Sequence, residues 1–140
     1  MKILVINGPN LNLLKKRNSD HYGVYDLYDI KKNLEDHFPE IAFTFVQSNS
    51  ESQLITEIQS APNLFNALII NPGGFSHTGI ALRDALEICN IPKIEVHLSN
   101  ITSRENFRKN SLTASVCDGY ISGLKHYSYI AAAYVLSKID

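Results

Sequence analysis

The sequence lacks several features that mark specialised classes of protein. Its only two cysteines, Cys89 and Cys117, are too few for a disulfide framework or a zinc site, so we expect both to be reduced and buried. Near its start the chain has no apolar core of the signal-peptide kind, and no apolar run approaches the ~20 residues of a membrane span. We therefore expect a cytoplasmic protein with no membrane partner and no metal.

An excess of charge of one sign is also missing. The 13 basic and 14 acidic residues are well mixed, and the formal net charge is -1. Nucleic acids and anionic membranes are attracted by a broad basic surface, which this composition does not supply. We therefore expect no nucleic-acid partner, and any bound anion must be held by local groups.

The length and the apolar pattern predict one α/β domain. At 140 residues with 44% hydrophobic residues, the chain has the size of a single domain, expected to span residues 1–140. Near-continuous apolar strands that alternate with helices imply a parallel sheet covered on both faces. The predicted strands are residues 2–7, 41–47, 67–71, 93–97 and about 115–122. The sequence thus predicts a doubly wound, five-stranded parallel sheet in three α/β/α layers.

Apolar residues at helical spacing occur between and after these strands. Four segments show this spacing, within residues 27–38, 54–58, 80–88 and 127–136. In the last of them the spaced apolar residues are Tyr127, Ile130, Ala131, Tyr134 and Leu136. These segments are the predicted helices of the two outer layers.

Polar side chains crowd the ends of the predicted strands. In open α/β sheets, ligands bind outside the carboxyl ends of the strands. Here those ends carry Asn7, Gln47-Ser48-Asn49, Asn71-Pro72-Gly73-Gly74 and His97-Leu98-Ser99. Such an edge suits a small, hydroxyl-rich and anionic ligand.

Several of these residues also have ordinary structural interpretations. The run from Asn71 to Gly74 is a common turn sequence, although its glycines also let backbone N–H groups approach a ligand. Ser76 or Thr78 can cap the helix that follows. Arg104 and Arg108 have helical i, i+4 spacing, which favours a solvated face over a carboxylate clamp.

Three further sites are open to two interpretations. Glu95 and His97 lie two apart on a strand and share a face, so the carboxylate could orient the histidine or could be a buried structural acid. Asp84 beside Arg83 favours a helix-surface ion pair. His77 is as often a surface residue as a ligand.

The connection between the first strand and the first long helix is unusually long. Residues 8–23 separate them, whereas such connections usually need about 2 to 6 residues, and longer ones are often lids. Its second half, about residues 15–23 (the lid), brings Arg17 and Tyr22 toward the strand ends. A guanidinium near the phenol would stabilise the phenolate and make Tyr22 a candidate base.

Five motifs in this order resemble the type II 3-dehydroquinate dehydratases. They are ILVINGPNLNLL, Arg17 five residues before Tyr22-Gly23, QSNSESQLI, INPGGFSHTGIALRDAL and IEVHLSNITSRENFR. The resemblance covers nearly the entire chain. It implies a flavodoxin-like fold, trimers packed into a homododecamer, no organic cofactor or metal, and a hydro-lyase that converts 3-dehydroquinate to 3-dehydroshikimate.

The resemblance also implies a role for each site residue. Tyr22 would abstract the proton next to the ketone to give an enolate, with Arg17 keeping it deprotonated. Asn10 would hold the water that stabilises the enolate, and His97, oriented by Glu95, would protonate the departing hydroxyl. The implied substrate contacts are Asn71, His77, Asp84, Leu98, Ser99 and Arg108, with Arg104, Gly73 and Gly74 in support.

The sequence differs from the family pattern in two places. The lid arginine is commonly followed by Glu-Pro, whereas Asn18-Ser19 stand here. A glycine-rich turn usually follows the fifth strand, and residues 125–128, Lys-His-Tyr-Ser, replace it. The first difference bears on the order of the lid and the second on subunit contacts.

Two other functions on a similar fold fit less well. A flavin mononucleotide module needs a hydroxyl- and glycine-rich loop after the first strand, where GPNLNLL is mostly apolar. A phosphoacceptor receiver domain needs acidic residues where Asn7 and Asn71 stand. The dehydratase reaction itself serves the shikimate pathway of aromatic biosynthesis and also quinate breakdown, and the sequence leaves both open.

Overall fold

The computed structural model describes residues 1–139, and its centre is a five-stranded sheet in which every strand pair is parallel. The strands are β1 (Lys2–Asn7), β2 (Ala42–Gln47), β3 (Ala67–Asn71), β4 (Lys93–His97) and β5 (Gly119–Ser122), in the spatial order β2-β1-β3-β4-β5. This order is that of flavodoxin-like sheets, with its reversal between β1 and β3. The predicted fold class is confirmed.

In the part of the chain that the structure describes, six helices accompany the sheet. They are α1 (Ser19–Tyr22), α2 (Leu27–His37), α3 (Glu51–Leu64), α4 (Phe75–Thr78), α5 (Ile80–Ile88) and α6 (Tyr127–Leu136). Helices α2 and α6 pack on one face of the sheet, and α3 and α5 pack on the other. Within residues 1–139, no helix combines the length and the apolar character that crossing a bilayer requires.

The core forms two layers because successive residues of a strand point to opposite faces. Ile3 and Val5 of β1 belong to the cluster beneath α2 and α6, whereas Leu4 and Ile6 belong to the cluster beneath α3 and α5. All four side chains are buried. A sheet covered on both faces explains the near-continuous apolar strands of the sequence.

The residues that α6 buries are not all those that the apolar spacing in the sequence predicted. Tyr127 and Tyr134 are exposed, whereas Tyr129 and the nearby alanines Ala132 and Ala133 are fully buried. The helix is apolar on nearly every side, so spacing alone could not select the face. The small alanines let its backbone approach the sheet closely.

Residues 8–23 contain two short helical segments of their own. Leu11–Lys16 form a 3₁₀ segment in which Leu11 and Leu14 are buried, and α1 follows. The Asn18 side chain caps α1 by accepting a hydrogen bond from Asp20 N. The first half of the connection is therefore anchored in the core by two leucines three residues apart.

Two further expectations need correction. The fifth strand begins at Gly119 rather than near residue 115, because Ala114–Val116 form a 3₁₀ turn. Neither Ser76 nor Thr78 caps α5; instead Glu51 Oε1 accepts a hydrogen bond from Leu82 N at 3.2 Å. Ser76 is buried within α4, which occupies the place where the cap was expected.

Candidate active site

A cleft opens at the carboxyl ends of β3 and β4, beside the point where the strand order reverses. Its cavity has a volume of only about 30 Å³, room for no more than a few waters. A sugar-sized ligand therefore needs the lid to move. The lining residues are Leu11, Arg17, Tyr22, Asn71, Gly73, Gly74, His77, His97, Leu98, Ser99, Ile101, Arg104 and Arg108.

The phenol of Tyr22 is held between two guanidinium groups. Arg17 Nη2 donates a short hydrogen bond to Tyr22 Oη, and Arg104 Nη1 donates a second at 2.6 Å. The Arg17 guanidinium also lies 3.9 Å from the centre of the phenol ring. Two cationic donors therefore converge on one phenol oxygen. Arg104 thus contacts Tyr22 directly, beyond the supporting role expected from the sequence.

The cleft is strongly cationic. Arg17, Arg104 and Arg108 all line it, and among residues 1–139 no acidic side chain does so. Burial lowers the pKa of Arg17; the nearby Tyr22 oxygen opposes this, and the Arg104 and Arg108 charges add to it. Glu105, which is exposed, accepts a hydrogen bond from Arg108 Nε at 2.7 Å. An anionic ligand would relieve this repulsion between guanidinium groups.

His97 and Glu95 form a buried pair at the end of β4. Their positions two apart on one strand place both side chains on the same face. His97 Nε2 lies 3.0 Å from Glu95 Oε2, and Glu95 has no exposed surface. The carboxylate thus engages one ring nitrogen and leaves Nδ1 for a ligand in the cleft. Glu95 therefore lies where it can hold the His97 ring, and its orienting role stays a prediction.

Two hydroxyl groups that the sequence reasoning missed also hold Glu95. Ser111 Oγ donates to Glu95 Oε2 at 2.8 Å, and Thr113 Oγ1 donates a short hydrogen bond to Oε1. A buried carboxylate remains charged only where such donors replace water. The i, i+2 spacing of Ser111 and Thr113 around Leu112 is the local signal that could have identified them.

The turn after β3 presents Asn71 and its glycines to the cleft. Asn71 Oδ1 accepts a hydrogen bond from Gly73 N at 3.2 Å, and Gly73 has a φ of 60°, which a residue without a side chain adopts freely. A Cβ at Gly8 would lie 2.2 Å from Pro72 O, so the turns after β1 and β3 pack backbone to backbone. The sequence NGP at one strand end and NPGG at the other makes this approach possible.

The remaining expected contacts surround the same cleft. His77 lines one wall, and its Nδ1 lies 3.0 Å from Asn110 O, which leaves Nε2 for a ligand. Ser99 Oγ accepts a hydrogen bond from Arg104 Nη1 at 3.2 Å. The apolar walls formed by Leu11 and Ile101 were not anticipated from the sequence.

Asn10 and Asp84 do not line this cleft. Asn10 has a left-handed backbone with φ 68°, and its N–H donates to Asn49 Oδ1 at 3.1 Å. Asp84 is exposed on α5 and lies 3.4 Å from Arg83 Nη1, as the ion-pair interpretation predicts. Any contact of these two side chains with a ligand requires movement or a second chain.

The site offers isolated polar groups rather than a metal cage. Within residues 1–139, no three His, Cys, Asp or Glu side chains are grouped so that they could hold a metal ion. What the cleft does contain is a phenol between two cations, an imidazole backed by a carboxylate, and amide and hydroxyl groups between them. Chemically, this set can remove a proton at one point and deliver one at another.

Comparison with known proteins points to one family. The family model described as Dehydroquinase class II matches residues 1–137. The chain is 46% identical to a 3-dehydroquinate dehydratase of Thermotoga petrophila, covering 100% of this chain and 98% of that protein. It is 48% identical to one of Clostridium botulinum, covering 93% and 90%. The crystal structure of type II dehydroquinase from Butyrivibrio crossotus superposes with a TM-score of 0.93 at 41% identity, covering 99% of this chain and 98% of that one.

Proposed function

The chain belongs to the class II dehydroquinase family, and from this premise we propose that it dehydrates 3-dehydroquinate to 3-dehydroshikimate with Tyr22 as base and His97 as acid. The observation that carries this mechanism is the placement of a phenol between Arg17 and Arg104 in the same small cleft as the His97–Glu95 pair. One group is suited to take a proton and the other to give one.

The first step is removal of a proton next to the ketone. The Tyr22 phenolate takes the proton, and the C–H electron pair forms an enolate. In our proposal Tyr22 acts in its deprotonated form, and Arg17 and Arg104, which each donate a hydrogen bond to the phenol oxygen, hold it in place before the transfer. A general base of this kind contributes typically about 10²- to 10⁴-fold to a rate. In our proposal Asn10 holds a water against the enolate once the lid has closed.

The second step is loss of the hydroxyl group. The enolate electrons form the new carbon–carbon double bond, the C–O bond breaks, and the His97 proton converts the departing hydroxide to water. Glu95 stabilises the charged imidazole through the 3.0 Å contact to Nε2. Exchange with solvent then returns a proton to His97 and removes one from Tyr22.

Substrate recognition follows from the charge and polarity of the cleft. The substrate carries a carboxylate, and Arg108 and Ser99, which both line the cleft, offer donors for it. Its ring hydroxyls match the amide of Asn71 and the free nitrogen of His77. In this proposal Leu98, Gly73 and Gly74 supply the walls and backbone around these donors.

We also propose that the chain works as a cytoplasmic homododecamer built from trimers. Ile80 and Ile88 on α5 are 65% and 80% exposed, and in this proposal a neighbouring chain covers these side chains. Asp84 lies on the same helix and outside the cleft of its own chain. In this proposal it contacts substrate that is bound to a neighbouring chain. Sedimentation velocity is expected to give a species larger than a dimer; a stable, active monomer would contradict the proposal.

The base is tested by Tyr22→Phe. This change removes the phenol oxygen and keeps the ring that packs under Arg17. Turnover is expected to disappear, whereas binding of a substrate-like carboxylate, measured by calorimetry, is expected to remain within a few-fold. A Phe variant with near-normal turnover would require another base.

The acid is tested by His97→Ala. Loss of the hydroxyl should stall, because expelling hydroxide without a proton is unfavourable at neutral pH. Exchange of the α-proton into heavy water, followed by NMR of the substrate, should continue because Tyr22 is intact. If exchange stops together with turnover, His97 acts earlier than proposed.

A further inference from the structure

A fully buried tyrosine connects the ends of two neighbouring strands. Tyr129, on the inner face of α6, donates a hydrogen bond from its hydroxyl to Asn7 Oδ1 at 2.7 Å. The hydroxyl oxygen of Tyr129 also accepts a hydrogen bond from Asn71 Nδ2 at 3.0 Å. Tyr129 and Asn7 have 0% exposure and Asn71 has 2%. The hydroxyl is therefore a bridge between β1 and β3 directly beneath the cleft.

The direction of every hydrogen bond in this bridge is determined. Asn7 Nδ2 donates to Val46 O at 3.3 Å, which turns Asn7 Oδ1 toward Tyr129. Because the hydroxyl proton goes to Asn7, the oxygen can only accept from Asn71, and this requires the Nδ2 end of that amide. Gly73 N then donates to Asn71 Oδ1 at the other end. Rotating the Asn71 amide by 180° would break both of its hydrogen bonds.

The bridge leaves part of Asn71 free for a ligand. A side-chain amide has two N–H donors and two acceptor positions on its oxygen. Tyr129 uses one donor and Gly73 uses one acceptor position. One N–H and one lone pair remain, and Asn71 is among the residues that line the cleft.

We infer that Tyr129 is a positioning residue for substrate binding, which fixes the Asn71 amide so that its free donor and acceptor meet the ring hydroxyls of the substrate. This inference rests on the proposed function for the identity of the substrate. Helix α6, which packs on one face of the sheet, thereby has a role in the cleft at the carboxyl ends of the strands.

Burial keeps the bridge in one protonation state. Burial raises the pKa of Tyr129, and the hydrogen bond from Asn71 opposes the rise only in part. The hydroxyl therefore stays neutral across the working pH range and continues to donate to Asn7. A phenolate at this position could not donate, and the direction of the whole bridge would be lost.

The test is Tyr129→Phe, which removes one oxygen and keeps the buried ring. A free Asn71 amide must be ordered when substrate binds, and ordering one side chain costs about 0.5–1.5 kcal/mol, or about 2- to 12-fold in affinity. We expect KM to rise by this factor with kcat within about twofold, since the interaction is made in ground and transition states alike. Tyr134→Phe on the exposed side of the same helix is the matched control and should leave both constants unchanged.

A double-mutant cycle separates positioning from a general structural effect. In an Asn71→Ala background, Tyr129→Phe should no longer raise KM, although it should still lower the melting temperature by several degrees. If the fold-change in KM of the double variant equals the product of the two single fold-changes, Tyr129 does not act through Asn71 and the inference is overturned. Asn7→Ala, which retains the tyrosine but removes the acceptor of its proton, should raise KM as well; an unchanged KM also counts against the bridge.

A measurement independent of turnover keeps this test distinct from that of the proposed function. In the wild type, NMR should show the Asn71 side-chain amide proton that is donated to Tyr129 as slowly exchanging with solvent, and Tyr129→Phe should speed its exchange. Unchanged exchange overturns the inference, whatever the activity. Failure of the wild type to turn over 3-dehydroquinate would instead overturn the proposed function.

Discussion

Replacing Ser19 by proline should make the lid easier to close. Ser19 is the first residue of α1, a position where proline is favoured because the N–H there has no partner within the helix. The preceding residue, Asn18, already has the extended backbone that proline requires of its neighbour, with ψ 116°. The native structure therefore accepts proline without rearrangement.

The size of the effect follows from the conformations that proline removes. A compatible proline stabilises the ordered state by about 0.4–1 kcal/mol, which corresponds to about twofold to fivefold in an equilibrium. The cavity of about 30 Å³ beneath Arg17 and Tyr22 is too small for the substrate, so the lid must open and close in each cycle. Fewer open conformations should shift that equilibrium toward closure by the same factor.

Two assays measure this shift. Binding of a substrate-like inhibitor by calorimetry should tighten by at most about fivefold in Ser19→Pro. Without ligand, trypsin cleavage after Lys15, Lys16 or Arg17, followed by mass spectrometry, should slow. Ser19→Ala is the matched control, since it removes the hydroxyl without restricting the backbone. Unchanged cleavage together with weaker binding in the proline variant would show that other contacts already order the lid, contrary to this prediction.

Two further predictions concern residues outside the cleft lining. Thr113→Val removes a hydroxyl group that donates a hydrogen bond to Glu95. Because a hydrogen bond to a charged group is worth about 1.5–3 kcal/mol, kcat should fall by about tenfold or more. Thr113→Ser keeps the hydroxyl and should retain most of kcat. Equal rates in the two variants would show that the hydroxyl is dispensable. The hydrogen bond from Asp29 N is the main cause that lowers the pKa of Asp26 in the folded protein. The charged carboxylate therefore stabilises the fold at pH values above 3.8, its ordinary pKa. This stabilisation is lost as the pH falls through the lowered pKa. In urea unfolding, Asp26→Ala should lower the free energy of unfolding by about 0.5–2 kcal/mol at pH 7. This loss should become smaller at pH values below 3.8, and a loss that does not change with pH would contradict the role of Asp26 as a helix cap.

The sequence predicted the sheet well because its signal is local. Each of the five strands is a short apolar run bounded by turn residues, and the alternation with helical segments allows few topologies. The boundaries of β1, β3 and β4 agree with the structure residue for residue. The fifth strand was predicted too long because the apolar residues of 115–117 lie in a turn and pack against the core from outside the sheet.

The candidate site residues that the sequence indicated lie at strand ends and in the long connection after the first strand. Asn71 and His97 follow from the rule that ligands bind at the carboxyl edge of the sheet. The unusual length of residues 8–23 pointed to Arg17 and Tyr22, and the resemblance gave them roles. Tyr129 contacts Asn7 across 122 positions of sequence, and no local pattern indicates that contact. Its helix is apolar on nearly all sides, so periodicity could not show that the buried tyrosine faces a polar partner.

The most direct test of the account is the reaction itself. Purified protein is mixed with 3-dehydroquinate, and the ultraviolet absorbance of the conjugated enone product is followed, with Tyr22→Phe as the parallel sample. We expect absorbance to rise with the wild type and to stay constant with the variant. No rise with folded wild-type protein, or an equal rise with both, would contradict it.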